Sequence, residues 1–536
     1  MSKISDYLRQ HLTGEVATDA ATRQAFARDG SILEMTPQLV VYPRTTNDVR
    51  KVARFAWRLA ERGQVLPLTA RGGGTSTTGS AIGGGVALAF AAHMSRILEL
   101  DVKSRMVRVQ PGLNLAALQE AMATHGLCLP VMPDDFKAAT IGGALASNVG
   151  GTKSVKYGRM RDWTDRLEVV LANGEVIQTE RLNKHELSGK KGLQTMEGEI
   201  YRSLDALIDE NAETVANLGD GAGFAVNLVK SDDGSFDLTP LFVGSEGALG
   251  VITQAIVRLA PRPDEVELLA AALTREQNLS DLAGQLGALE PSELEFIDGD
   301  TFKLIAEKDG GTPWQAVASA CPATLLFVEF DDKHRERKIK KAAKILAAAG
   351  VQDAKIASSF EDQEMLRAVH HSTAYIANFA DRGTAALPLI SNVTVDPARL
   401  AEFLADIKKL LRHNHVEAGI WGSLGTGAVN VRPLINLANL GQRQTVLKFM
   451  NEVRVLAREF GGTPSDDMSG GRLNAPFAAE FDGEAARDVF IKLKTIFDPY
   501  GTLNPGVKVG LGRDELVKML RQDYDRARLA QFNLRG

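Results

Sequence analysis

Cysteine is all but missing: Cys128 and Cys321 are the only two among 536 residues. Two isolated thiols cannot ligate an iron–sulfur cluster and supply no disulfide framework. Cys128 sits in the apolar run Gly126-Leu127-Cys128-Leu129-Pro130, where a buried, inert thiol is expected. Neither sign of charge is in excess: 62 Lys and Arg stand against 67 Asp and Glu, for a formal net charge of −5. That balance gives no long-range attraction for nucleic acid or anionic lipid, so a basic site for an acidic substrate must be local. No window approaches the roughly 18 apolar residues of a membrane span. The start, Met1-Ser2-Lys3-Ile4-Ser5-Asp6-Tyr7, lacks the apolar stretch of a signal peptide. The expectation is a soluble, cytoplasmic protein with no transmembrane segment, peripheral attachment at the inner face of the membrane being left open. Also missing is a Gly-x-Gly-x-x-Gly after a first strand with an acidic ribose ligand further on, which argues against a Rossmann NAD site. The bulk composition, 44% hydrophobic and 24% charged, is that of an ordinary globular protein long enough for two domains.

The most informative stretch that is present is Arg71-Gly72-Gly73-Gly74-Thr75-Ser76-Thr77-Thr78-Gly79-Ser80. It follows Val65-Leu66-Pro67-Leu68-Thr69-Ala70, which reads as a short strand. Three glycines let the backbone approach a ligand closely, and hydroxyls and N–H groups converge there as in a phosphate nest. Further motifs follow: Pro133-Asp134-Asp135, then Thr140-Ile141-Gly142-Gly143-Ala144-Leu145-Ala146-Ser147-Asn148-Val149-Gly150-Gly151, then Lys156-Tyr157-Gly158. Later come Gly244-Ser245-Glu246-Gly247-Ala248-Leu249-Gly250-Val251-Ile252-Thr253 and Phe497-Asp498-Pro499-Tyr500-Gly501-Thr502-Leu503-Asn504-Pro505-Gly506. This ordered set resembles the FAD-binding oxidoreductases of the vanillyl-alcohol oxidase (PCMH) type. Within them it is most similar to the branch of D-lactate, glycolate and D-2-hydroxyglutarate dehydrogenases.

The resemblance implies an α+β fold, with a two-part FAD domain over residues 1–262 (core 36–262). A cap or substrate domain follows over 263–480, and residues 481–536 return to the FAD domain. The residues themselves agree with this division. A helix ending near residue 63 carries the apolar stripe Val49, Val52, Ala53, Ala56, Leu59 and Ala60, with Thr46 or Asn47 as its cap. Strands are expected at 86–90, 106–110, 167–171 and 176–179, with a helix at 115–125; Asn173-Gly174 marks a hairpin. Pro261-Arg262-Pro263-Asp264 reads as a boundary. Beyond it strands at 265–273, 294–297, 324–330, 387–395 and 416–421 alternate with helices near 333–349, 360–379, 397–413 and 442–460. That pattern suggests an antiparallel sheet covered by helices on one face. Residues 513–533 read as a charged helix with Leu516, Met519, Leu520, Tyr524 and Leu529 as sparse apolar positions. It either packs on its own domain or docks a partner subunit or membrane surface.

By resemblance, FAD contacts are expected at Pro43, Arg71, Gly72, Gly73, Gly74, Thr75, Ser76, Gly79, Ser80, Pro111, Gly112, Pro133, Asp134, Thr140, Gly142, Gly143, Ala146, Asn148, Gly150, Tyr157, Gly158, Glu246, Val251, Ile252 and Asn504. No histidine stands in the first glycine loop, so the FAD is expected to be non-covalent. Family members acting on 2-hydroxy acids carry a divalent metal on two histidines and a later acidic residue. Here Gly422, Gly425, Gly427, Val431, Arg432 and Pro433 keep the frame, but Ser423 and Asn430 occupy the histidine places. Thr426 and Ala428 replace further polar positions, Asp467 stands for the acidic ligand and Met468 for a neighbouring histidine. Such a set makes no Zn²⁺ site, so no metal is expected. Replacement catalytic candidates lie on the expected helix 360–379, where Arg367, His371 and Tyr375 can share a face and His370 is adjacent. Arg367 is the first choice for a substrate carboxylate. Asn392, Asn430, Arg432, Asp467 and Arg472 complete the candidate cap site.

These features imply a flavin-dependent dehydrogenase oxidising a 2-hydroxy acid. Two alternatives stay open: a neutral alcohol or polyol as substrate, or a flavin-bearing, non-catalytic subunit. Leu187-Ser188-Gly189-Lys190-Lys191-Gly192-Leu193 and Glu197-Gly198-Glu199-Ile200-Tyr201-Arg202 resemble the flavin half of longer relatives that continue into an iron–sulfur segment. The electron acceptor is therefore expected to be a quinone, an electron-transfer protein, a separate iron–sulfur subunit or dioxygen. A homodimer is left open.

Overall fold

The strands Leu39–Tyr42, Val86–Ala89 and Leu68–Arg71 pair in parallel, with Glu15–Ala17 antiparallel along the outer edge. This arrangement comes from a computed structural model, which describes residues 2–219, 223–463 and 470–524. Parallel neighbours need a crossover, and the helix Thr46–Ala60 supplies it, burying Val49, Val52, Ala53, Ala56 and Ala60. Its cap is Thr45, one residue earlier than expected. The reason is Asp48, which is buried and accepts from Thr13 N–H (2.9 Å), the Thr13 hydroxyl (2.8 Å) and Arg44 N–H (3.0 Å), fixing the first turn.

A second sheet is wholly antiparallel, in the order Ile97–Asp101, Met106–Val109, Val251–Arg258, Thr164–Val170, Val176–Gln178. The Asn-Gly hairpin joins the last two, with Gly174 at φ 85°. The helix Ala478–Phe497 returns from the far end of the chain and buries Val489, Phe490, Leu493 and Phe497 in the core of this sheet.

Between them lies the cap. Its antiparallel sheet has at its centre Glu267–Leu273, Thr324–Phe330, Glu293–Asp298, Ala418–Ser423 and Ala428–Asn436, in that order. Four helices, Leu279–Gly287, Arg335–Ala348, Leu400–His413 and Leu440–Glu459, bury their apolar stripes against one face. The other face is not bare: Gly299–Asp309, Phe360–His370 and Thr373–Ala377 pack on part of it. The expected single helix 360–379 is thus two helices. The hydroxyls of Ser372 and Thr373 donate to Val369 O (2.7 Å) and His370 O (3.3 Å), competing with the helical ladder at the break.

Of the expected helix 513–533, the described residues 513–524 form one short helix followed by a strap. After Arg513–Lys518, residues 519–524 lie along residues 30–34. Glu34 N–H donates to Met519 O (2.8 Å), Arg521 N–H to Ile32 O (2.9 Å) and the Tyr524 hydroxyl to Gly30 O (2.8 Å). Leu516 and Tyr524 are buried, while Leu529 lies outside the described residues. Among the described residues no helix is long and apolar enough to cross a membrane.

Candidate functional site

The strand Leu68–Arg71 runs straight into the first glycine loop, which is pressed against the second. A side chain at Gly72 would collide with Thr140 Oγ1, and one at Gly73 with Ala138 O. Only glycine fits there. Among the described residues, the backbone N–H groups of Thr75, Ser76 and Thr77 donate to no protein acceptor, although the chain curls around them. Ser76 Oγ lies 2.8 Å from Ser80 Oγ and 3.1 Å from Thr78 Oγ1. Facing this nest, Thr140 caps the helix Ile141–Ala146, its hydroxyl accepting from Gly143 N–H at 3.3 Å.

The two loops wall a cavity of about 780 Å³, at the upper end of the range for small-molecule sites. Of the expected FAD contacts, Arg71, Gly72, Gly73, Gly74, Thr75, Ser76, Ser80, Pro111, Pro133, Asp134, Thr140, Gly142, Gly143, Ala146, Gly150, Glu246 and Ile252 line it. Arg71 is also anchored by protein groups: its Nη1 donates to Ala81 O (3.2 Å) and Phe26 O (3.4 Å), and the guanidinium lies over the Phe26 ring. Pro43, Gly79, Gly112, Asn148, Tyr157, Gly158, Val251 and Asn504 do not line it. Some of them brace residues that do. Asn504, at φ 42°, donates to Ser80 O (2.8 Å) and Glu246 O (2.7 Å) and accepts from the Thr69 hydroxyl (3.1 Å). Glu246 accepts from the Thr78 hydroxyl (3.0 Å) and Gly471 N–H (2.7 Å), and burial raises its pKa. Tyr157 donates to Asp331 at 2.8 Å, tying the glycine-loop side to the cap.

The cap closes the other end. Strand alternation puts Trp421, Ser423, Asn430 and Arg432 on one face, together with Glu295 from the neighbouring strand, and all five line the cavity with Ser391, Asn392, His370 and His371. Asn430 and Asn392 hold each other: Asn430 Nδ2 donates to Asn392 Oδ1 (3.1 Å), and Asn392 N–H to Asn430 Oδ1 (3.2 Å). With Ser423 these are neutral, mutually satisfied groups, a donor set that does not fit a transition metal; no chemistry is assigned to one. Asp467 lies outside the described residues. The Arg432 guanidinium sits 6.0 Å from the Trp421 ring. His370 packs on Phe327 with ring centroids 4.7 Å apart. Burial, helped by His371 and Arg367, pulls its pKa down to about 3, so the imidazole is neutral.

Three candidates stand elsewhere. Arg367 is off the cavity wall, its Nη2 donating to buried Glu329 at 2.6 Å. Tyr375 is beyond the helix break and shares no face with Arg367. Arg472 is 1% exposed and donates to Gly79 O, Ile82 O, Asn504 Oδ1 and Pro505 O. Glu293, Glu295 and Trp421 escape a motif search. The signal that could find them is Glu293-Leu294-Glu295-Phe296, carboxylates alternating with apolar residues in a strand buried throughout.

The neutral glycine walls, the free amides of residues 75–77 and the long cavity fit a pyrophosphate-bearing dinucleotide such as FAD. Residues 37–180 match the family described as FAD binding domain, and residues 264–507 the family described as FAD linked oxidases, C-terminal domain. A D-2-hydroxyglutarate dehydrogenase of Pseudomonas putida is 28% identical over 96% of this chain, which spans about half (53%) of that protein. A D-lactate dehydrogenase of Archaeoglobus fulgidus is 26% identical, with 87% of this chain and 90% of that one covered. In fold, 4-ethylphenol oxidase from Gulosibacter chungangensis superimposes with a TM-score of 0.68 at 18% identity, covering 96% of this chain and 98% of the other.

Proposed function

We propose, from the premise that this chain belongs to the FAD-linked oxidases by both of its domains, that it oxidises the carbinol carbon of a 2-hydroxy acid. In this reading residues 1–262 with 481–536 hold a non-covalent FAD and residues 263–480 hold the substrate. The names of the relatives, D-2-hydroxyglutarate and D-lactate dehydrogenases, support that substrate class. The observation that carries it is the cap end of the cavity, where one guanidinium, Arg432, meets a neutral imidazole, His370, and a pair of amides.

The amides of residues 75–77, the hydroxyls of Ser76 and Ser80 and the N-terminus of Ile141–Ala146 would hold the FAD pyrophosphate. Bound FAD supplies a two-electron acceptor for the hydride. The protein does the rest. Arg432 takes the substrate carboxylate, for which a planar fork is suited; it replaces Arg367 in that role because it lines the cavity and Arg367 does not. Asn430 and Asn392 orient the hydroxyl. His370, kept neutral by burial, accepts the hydroxyl proton. Electrons then leave to an acceptor such as a quinone or an electron-transfer protein.

The test is anaerobic reduction of the bound flavin by D-2-hydroxyglutarate and D-lactate in wild type and Arg432→Met. Losing a charge-assisted contact worth about 1.5–3 kcal/mol should weaken the acid roughly 10- to 100-fold and leave neutral diols untouched. Unchanged affinity for the acid, or flavin reduced only by a neutral alcohol, would reject the reading.

A further inference from the structure

The cap strands bring two carboxylates face to face. Glu293 and Glu329 are register partners on adjacent antiparallel strands, and both are buried. Like charges so placed repel across the ladder, and burial adds to the cost unless each finds a partner. Glu329 is fully engaged. Its Oε1 lies 2.6 Å from Lys153 Nζ and accepts from the Ser292 hydroxyl at 2.9 Å; its Oε2 accepts from Arg367 at 2.6 Å. Glu293 meets no lysine or arginine at ion-pair distance among the described residues. Its neighbour is His370, with Oε1 3.8 Å from Nδ1.

We propose that Glu293 is the positioning carboxylate of a Glu293–His370 pair that draws the substrate's hydroxyl proton out of the cavity. This rests on the hydroxy-acid reading above. With Nδ1 turned to the carboxylate, the other ring nitrogen is the one left to face the substrate. The substrate O–H bond breaks, an N–H bond forms at that nitrogen, and the Nδ1 proton moves toward Glu293 Oε1. The carbinol C–H leaves with its electron pair to FAD, so the hydroxy acid becomes an oxo acid, two electrons reduce the flavin, and one proton stays on the pair. At 3.8 Å the two groups are near but not hydrogen-bonded, and proton transfer between them requires the contact to tighten when substrate binds. His370 alone, held neutral, is a poor proton acceptor; a carboxylate behind it supplies the missing counter-charge.

The groups facing Glu293 set its titration: burial and Glu329 raise its pKa, Arg367 and Lys153 lower it, and Asp134 raises it, for a value pushed up to about 7. The sign follows. Below that pH Glu293 is protonated and cannot take a proton; above it the pair is competent. Glu329, between two cations, is held below the usual carboxylate range and stays ionised.

The experiment is the anaerobic rate of flavin reduction by D-2-hydroxyglutarate and D-lactate between about pH 5 and about pH 9, in wild type and Glu293→Gln. Wild type should climb through about pH 7, whereas Glu293→Gln should be roughly 100-fold slower and flat, with FAD content and affinity for the acid kept. A Glu293→Gln profile with the same rising limb overturns the proposal. Should that variant not fold, Glu329→Gln decides: removing the opposed charge moves the limb to lower pH if Glu293 is responsible, and an unmoved limb overturns it. If neither acid reduces the flavin, the hydroxy-acid reading fails by itself. The pair is then judged by infrared titration. A protonated-carboxyl band that disappears near neutral pH in wild type and is missing from Glu293→Gln supports it, and its absence from wild type overturns it.

Discussion

Arg472→Lys separates a structural arginine from a catalytic one. Arg472 spends its guanidinium on four oxygens, Gly79 O at 2.6 Å, Ile82 O at 2.7 Å, and Asn504 Oδ1 and Pro505 O at 2.9 Å. Burial lowers its pKa to about 10, so it is still charged at neutral pH. A lysine keeps the charge but brings a single shorter-reaching nitrogen, which cannot span four acceptors set around a fork. Losing two of these bonds, each worth about 1.5–3 kcal/mol because the donor is charged, costs about 3–6 kcal/mol. Gly79 and Ile82 belong to the segment that carries the first glycine loop. If about 2 kcal/mol of the loss falls on ordering that loop around its ligand, FAD affinity drops roughly 30-fold. The assay is titration of deflavinated protein with FAD, followed by flavin fluorescence, alongside urea unfolding of the same sample. FAD binding within about threefold of wild type would show that the loop does not depend on Arg472. A raised KM for the proposed hydroxy-acid substrate at unchanged FAD affinity would return Arg472 to the substrate site.

Two glycines offer a matched pair. A methyl at Gly73 collides with Ala138 O, whereas at Gly143 the nearest group is Thr140 Oγ1 at 3.4 Å. Gly73→Ala should therefore lower the stability of the flavin-free protein by about 1–3 kcal/mol. Gly143→Ala should leave that stability alone while reducing FAD binding. Equal effects of the two on the flavin-free protein would contradict the packing described. Ending the chain after Lys518 removes the strap, including the bonds to Glu34, Ile32 and Gly30. Because Gly30 N–H donates to Gly74 O at 3.1 Å, loosening the strap by one or two bonds should speed FAD release roughly tenfold. A release rate equal to that of the full chain would sever the strap from the cofactor loop.

The elements most legible in the sequence are those whose cause is local. The cap strand Thr324–Phe330 and the helix Arg335–Ala348 follow from apolar patterning alone. The glycine loops announce themselves because a close backbone approach admits no other residue. What the sequence hides is partnership at long range. Arg367 and Arg472 both look available for an anion, and nothing near either in sequence names Glu329 or the carbonyls of residues 79 and 82 as their partners. The break after His370 rests on two hydroxyls that any surface helix could carry, so their choice of acceptor is invisible without the fold. The strand Ala428–Asn436, which presents Asn430 and Arg432, starts within a glycine-rich turn that masks its onset.

The cofactor end of the cavity is closed by residues from opposite ends of the chain. Leu68 N–H donates to Thr502 O, Asn504 holds Ser80 and Glu246, and Arg472 holds Gly79. During synthesis the glycine loop therefore emerges more than four hundred residues before the segment that fixes it. Until residue 504 clears the ribosome, the first domain has an unclosed loop and an unfilled core. Closure over so long a separation is slow, and the waiting half exposes apolar strands to aggregation. FAD supplied during translation has no completed loop to bind, so its capture belongs to the last stage of folding.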